Sequence, residues 1–130
     1  MKKNNKGFSL VELIVVVLIM GIIAVALAPQ VMKWVDKSRE AKETTNMTNV
    51  EASIETAYAE YQADYGKVQV ASAIELKSAS WVASKLPSTA SPLAGLIDEV
   101  IGGEWDKAHA NDGTPFKFTI DSKGKVTVTK

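Results

Sequence analysis

The chain has 130 residues, with 15 basic and 15 acidic side chains, one His and no Cys. That length suits one small domain, and 46% hydrophobic against 23% charged residues excludes wholesale disorder. Without Cys there is no disulfide framework, thiol nucleophile or Cys-based zinc site. A single His excludes a multi-His metal cage and argues against triad chemistry, and a formal net charge of zero argues against direct nucleic-acid binding.

The apolar residues crowd into one end. Leu13 to Met32 is a stretch of twenty residues without a charge, and Phe8 to Val11 extend it across Glu12. As a helix, Phe8 to Met32 measures roughly 37 Å at about 1.5 Å per residue, enough to cross a hydrocarbon core of about 30 Å. The remainder of the chain is too short to wrap so apolar a rod on every side. Lys2, Lys3 and Lys6 make the leader MKKNNKG basic, which favours a cytoplasmic N-terminus. A secretory signal would place its small-residue cleavage site after the apolar stretch. There Ala24, Ala26 and Ala28 run straight into Pro29, whereas the small residue Gly7 stands before the stretch. A cut after Gly7 removes the positive charges and leaves the apolar helix on the mature chain.

The junction Gly7-Phe8-Ser9-Leu10-Val11-Glu12-Leu13 resembles the class III leader junction of type IV pilins and pseudopilins: a short basic leader, Gly, Phe, a Glu five residues into the mature chain, then an apolar run. The likeness covers about residues 1 to 35. It implies a membrane-embedded prepilin peptidase that cuts between Gly7 and Phe8 and methylates the new Phe8 amine. It also implies a homopolymer assembled by an ATPase and a platform membrane protein, with the precursor single-pass in the cytoplasmic membrane and the product an extracellular filament.

Glu12 has two readings. Ser9-x-x-Glu12 has capping-box spacing, and an acid in the first turn complements the helix dipole. After cleavage, the Phe8 amine is a cation, so Glu12 can also pair with that amine on a neighbouring subunit and set the register of packed helices. The resemblance favours this second role. Gly21 and Pro29 weaken the helix interior, and the resemblance places a flexible segment there, expected to loosen on assembly.

Beyond Lys33 the pattern changes. Lys37 with Glu40, and Arg39 with Glu43, have helical ion-pair spacing. Met47, Val50, Ile54, Ala57, Tyr61 and Tyr65, widened by Tyr58, form one apolar stripe, and Gly66 is a C-terminal stop. One helix of about 58 residues is therefore expected from Phe8 to Tyr65. The layout is residues 1–7 leader, 8–32 membrane or filament-core helix, 33–65 amphipathic helix and 66–130 head.

In the head, Lys67 to Ala71 reads as a short extended piece and Ile74 to Leu86 as a short helix. Ser88 to Ser91 reads as a link, and Leu93 to Ile101 as a helix with Ser91 as N-cap and Gly102 as C-terminal cap. Trp81 and Trp105 are expected in the core, and His109 on a surface loop within Glu104 to Gly113. Phe116, Phe118 and Ile120, then Val126 and Val128, alternate on either side of the turn Asp121 to Gly124, which predicts a C-terminal antiparallel hairpin with room for a third strand. The fold class is thus α+β.

Asp112 to Phe118 faintly resembles a loop of type II secretion major pseudopilins in which an acidic loop binds calcium. Asp106 and Asp112 offer two scattered carboxylates where calcium takes six to eight oxygens, so no metal and no cofactor is expected. Carboxylates nowhere gather with a base or nucleophile, so no enzymatic site is expected either. The leading expectation is a structural subunit of a type IV pilus-like filament, with the adhesion and motility roles that implies. Its alternatives are a pseudopilin of a type II secretion or DNA-uptake system and, outside the family, a single-span anchored extracytoplasmic binding protein. Many Gram-negative pilins close a C-terminal loop with a disulfide that this chain cannot form, which tilts the resemblance toward a Gram-positive source or a pseudopilin.

Overall fold

A computed structural model describes residues 7–130; Lys2, Lys3 and Lys6 of the leader lie outside the described residues. The chain divides into two compact units, one up to Ser38 and one from Arg39 to Lys130. A single helix, α1 (Leu10–Tyr65), runs through both. It starts two residues later than the sequence suggests because Ser9 is its cap rather than its first turn. It ends where expected: Gly66 takes φ 87°, a left-handed conformation that costs other residues about 1–2 kcal/mol, and its N–H bonds to Gln62 O.

In the second unit, the helix buries Val50, Ile54, Ala57, Tyr58 and Tyr61. These face a three-stranded antiparallel sheet of order β1-β2-β3, made of β1 (Val70–Glu75), β2 (Lys117–Ile120) and β3 (Val126–Thr129). The alternation expected in the tail holds: Phe116, Phe118, Ile120, Val126 and Val128 are all buried. Two strands alone are marginal; the third comes from the middle of the chain.

That third strand corrects the reading of residues 74–86 as a helix. Ile74 and Glu75 pair with Phe118 and Lys117, and Leu76 N–H bonds to Phe116 O. The apolar positions of this stretch serve the sheet first. The helix α2 (Ala79–Lys85) then starts afresh, because Ser78 Oγ accepts from Trp81 N–H and caps it. The extended piece is likewise Val70–Glu75 rather than 67–71.

Further on, Ser88–Ala90 form a 3-10 turn that runs directly into α3 (Ser91–Ile101). Ser91 therefore already has helical dihedrals and is not the N-cap. The cap position falls to Ala90, which has no side-chain hydrogen bond. Gly102, at φ 71°, closes α3 as expected.

Other expectations change with their environments. Residues 105–108 form a second 3-10 turn, and half-buried His109 bridges to Pro115 while its Nδ1 lies 2.7 Å from Trp105 O. Trp81 and Trp105 are half-buried at the edge of the core, not inside it. Tyr65 is exposed, stacked on Tyr61 with ring centroids 5.1 Å apart.

Neither Lys37–Glu40 nor Arg39–Glu43 forms an ion pair among the described residues. Glu43 instead accepts the Asn111 N–H (3.1 Å) and pairs with Lys130 Nζ (3.0 Å), while Asn111 Nδ2 donates to Arg39 O. The Asn111 N–H first, then Lys130, hold the Glu43 carboxyl below its ordinary value. Asp112, lowered chiefly by the Thr114 N–H, lies 3.9 Å from the same ammonium. The end of the chain and the loop before β2 are thus tied to α1.

Candidate assembly site

The site predicted from sequence is the N-terminal end of α1. Gly7, Phe8 and Ser9 precede the first helical residue, and Gly7 and Phe8 are exposed. The Gly7–Phe8 peptide bond therefore lies in non-helical, accessible chain, the condition a peptidase needs.

Ser9 and Glu12 form a reciprocal capping box. Ser9 N–H donates to Glu12 Oε2 and Glu12 N–H donates to Ser9 Oγ, each at 3.2 Å. The first intrahelical bond, Leu13 N–H to Ser9 O, closes at 3.2 Å. Two of the donors that every helix start leaves open are thereby satisfied. Among the described residues only one Glu12 oxygen is engaged, and the side chain stays exposed, so its other oxygen faces open space.

From Phe8 to Met32 the described residues present seventeen large apolar side chains to the surroundings, each at least 45% exposed. Burying such a set is worth on the order of tens of kcal/mol. A surface of this kind in one unbroken helix needs lipid or other helices around it, and by length and composition the helix can cross a membrane.

The helix passes Gly21 and Pro29 without a break. Pro29 has no N–H, so the Val25 carbonyl lacks its i+4 donor. Gly21 does more than weaken the backbone: with Val17, Leu18, Ile22 and Val25 it lines a shallow apolar depression, and a Cβ there would meet nothing within 4 Å. A small residue at such a notch leaves room for a neighbouring helix to approach.

Trp34 lies at the far end of the apolar surface. It stands 63% exposed, next to Lys33 at the end of the apolar stretch. The enrichment of Trp and Lys at membrane interfaces is the signal that identifies it. Asp112 accepts the Thr114 N–H and lies 3.9 Å from Lys130 Nζ, and no cluster of three metal-ligating residues exists among the described residues.

Residues 2–28 match the family model described as the prokaryotic N-terminal methylation motif. The chain thus carries a class III prepilin leader of the type IV pilin and pseudopilin kind, joined to a pilin-like apolar helix. None of the curated proteins and none of the solved structures matches the chain.

Proposed function

We propose that this chain is a structural subunit of a type IV pilus-like filament. It waits in the cytoplasmic membrane as a single-pass precursor, is cut after Gly7 by prepilin peptidase and is methylated at the new Phe8 amine. It polymerises by packing of its apolar helix, driven by an assembly ATPase and a platform membrane protein, and ends as an extracellular homopolymer.

The observation that carries this reading is the fully exposed apolar helix beginning immediately after a methylation-motif junction. A membrane accounts for it before assembly, and like helices account for it afterwards. In the second state, the unengaged Glu12 oxygen takes the cationic Phe8 amine of a neighbour. In a low-dielectric environment that pair fixes the axial register. Gly21 and Pro29 let the helix between them loosen when it leaves lipid for the filament core.

The native N-terminal mass tests this directly. Loss of residues 1–7 with a gain of about 14 Da marks cleavage plus one methyl group, and electron microscopy then shows fibres. An intact leader on functioning protein refutes the proposal in favour of a membrane-anchored binding protein. Cleaved, methylated protein that supports secretion or DNA uptake without long fibres moves the chain to the pseudopilins.

A further inference from the structure

The acids of α1 are unevenly employed. From Glu43 to Tyr65 the helix carries five acidic and no basic residues. Glu43 is tied to Asn111 and Lys130, and Glu51 Oε2 accepts the Val128 N–H. Glu55, Glu60 and Asp64 are exposed and take no ion pair or hydrogen bond among the described residues. Glu60 and Asp64, four residues apart, share one helix face, and Tyr65, 59% exposed, follows them at the helix end. The last turns of α1 thus present an acidic patch, while Tyr65 lies stacked on Tyr61 about 140° around the helix from Glu60.

The head, near neutral as a whole, carries one groove with cations in its lining. Residues 66–130 hold eight basic and seven acidic side chains. A groove of about 520 Å³ runs beside the edge strand β1, with apolar walls from Ala71, Ala73, Trp81 and Pro87 and cations from Lys85 and Lys117. Its one acid, Glu75, is paired with Lys77 Nζ at 2.7 Å and is held below its ordinary pKa chiefly by that lysine, with smaller contributions from the Lys117 and Lys85 charges. Lys85 and Lys117 have no carboxylate partner among the described residues. Lys85 rests on the Trp81 ring, 4.9 Å from its centroid, beside Lys77 at 4.4 Å.

We infer that this groove receives the acidic end of α1, Glu60 and Asp64, from a second copy of the chain. Carboxylates then meet Lys85 and Lys117, the charge complementarity that orients such a contact. A contact between two unlike patches is heterologous, the kind that propagates along a polymer instead of stopping at a dimer. The inference rests on the filament reading and adds a contact between heads to the packing of apolar helices.

The absence of Cys makes a clean test possible, since each introduced disulfide reports one contact. Cells co-express two full-length chains, one with Glu60→Cys and one with Lys85→Cys, and mild oxidation is followed by a non-reducing gel. A third chain, Glu55→Cys, is the control: Glu55 lies about 140° around the helix from Glu60 at 3.6 residues per turn.

A dimer band about tenfold stronger for the 60/85 pair than for the 55/85 pair, in cells bearing fibres, supports the contact. Equal bands, or fibres with no 60/85 band, overturn it and leave the filament reading standing. A strong 60/85 band in cells without fibres keeps the contact and overturns the filament reading. In parallel, Lys85→Glu with Lys117→Glu lowers fibre yield about tenfold, and adding Glu60→Lys with Asp64→Lys restores it, because only matched reversal recovers opposite charge across the contact. Failure of that rescue, with the head still folded by circular dichroism, counts against the contact.

Discussion

Two substitutions separate the local role of Glu12 from its proposed intermolecular one. Ser9→Ala removes the Oγ that accepts the Glu12 N–H at 3.2 Å. Loss of an N-cap costs about 1 kcal/mol, spent at the first turn of a 56-residue helix, so processing and fibre yield should change little. Glu12→Gln is the complementary perturbation. A glutamine three residues after the cap still completes the box, so the helix start is kept and only the charge is lost. Unit charges 4 Å apart at an effective dielectric of about 20 attract by about 4 kcal/mol. Losing that attraction weakens each subunit addition by about a thousandfold, less the part the pair spends on desolvation. The assay is the ratio of sheared fibres to membrane-bound chain, with the Phe8-start mass measured on both. The expected result is cleaved Glu12→Gln protein retained in the membrane and near-normal fibres from Ser9→Ala. Full fibre yield from Glu12→Gln refutes the register role, and an equal defect in Ser9→Ala assigns the residue to capping alone.

Other outcomes concern the head, measured by thermal circular dichroism on the detergent-solubilised chain. Phe118→Ala empties a fully buried site under α1, so a loss of about 3–5 kcal/mol is expected, with collapse of the melting transition. Gly124→Ala should cost more than Gly102→Ala. Both glycines have positive φ, but a Cβ at 124 would lie 3.2 Å from Gln62 Nε2 and 3.4 Å from Tyr58 Cε1, whereas at 102 it meets nothing. For pH, Glu43 has a lowered pKa in the folded state, so its contribution is present above the unfolded glutamate value of about 4.3 and is lost as pH falls through the folded value. The melting temperature should therefore drop on acidification below about pH 4.3, and Glu43→Gln should flatten that slope; an unchanged slope refutes the tie between Glu43, Asn111 and Lys130.

The parts of the fold written in periodicity were legible. The 3.6-residue stripe from Val50 to Tyr61 and the two-residue alternation from Phe116 to Val128 each specify one buried face. The elements that were misjudged lack such a signal. Between Lys67 and Leu86 the apolar residues are too few to separate strand from helix, and the pairing of Ile74 with Phe118 spans more than forty positions of chain. Tyr65 fits the stripe by spacing, but the head no longer covers that turn. Arg39–Glu43 fits by spacing as well, yet Glu43 finds better donors in Asn111 and Lys130. The junction at Gly7, Phe8 and Glu12 was readable because it is local: every residue that defines it lies within one turn of the helix start. The groove beside β1 was not, since Ala71, Trp81, Lys85 and Lys117 meet only through tertiary pairing.

The irregular register of β1 between Val70 and Ile74 has a consequence for life at high density. In the proposed pool of membrane-held precursors, many identical sheets lie side by side, the setting in which straight open edges pair with one another. Here one edge is interrupted partway along, and on the other, only four residues long, the Glu51 carboxylate already occupies the Val128 N–H. Heads built this way can be stored shoulder to shoulder without templating one another's misassembly.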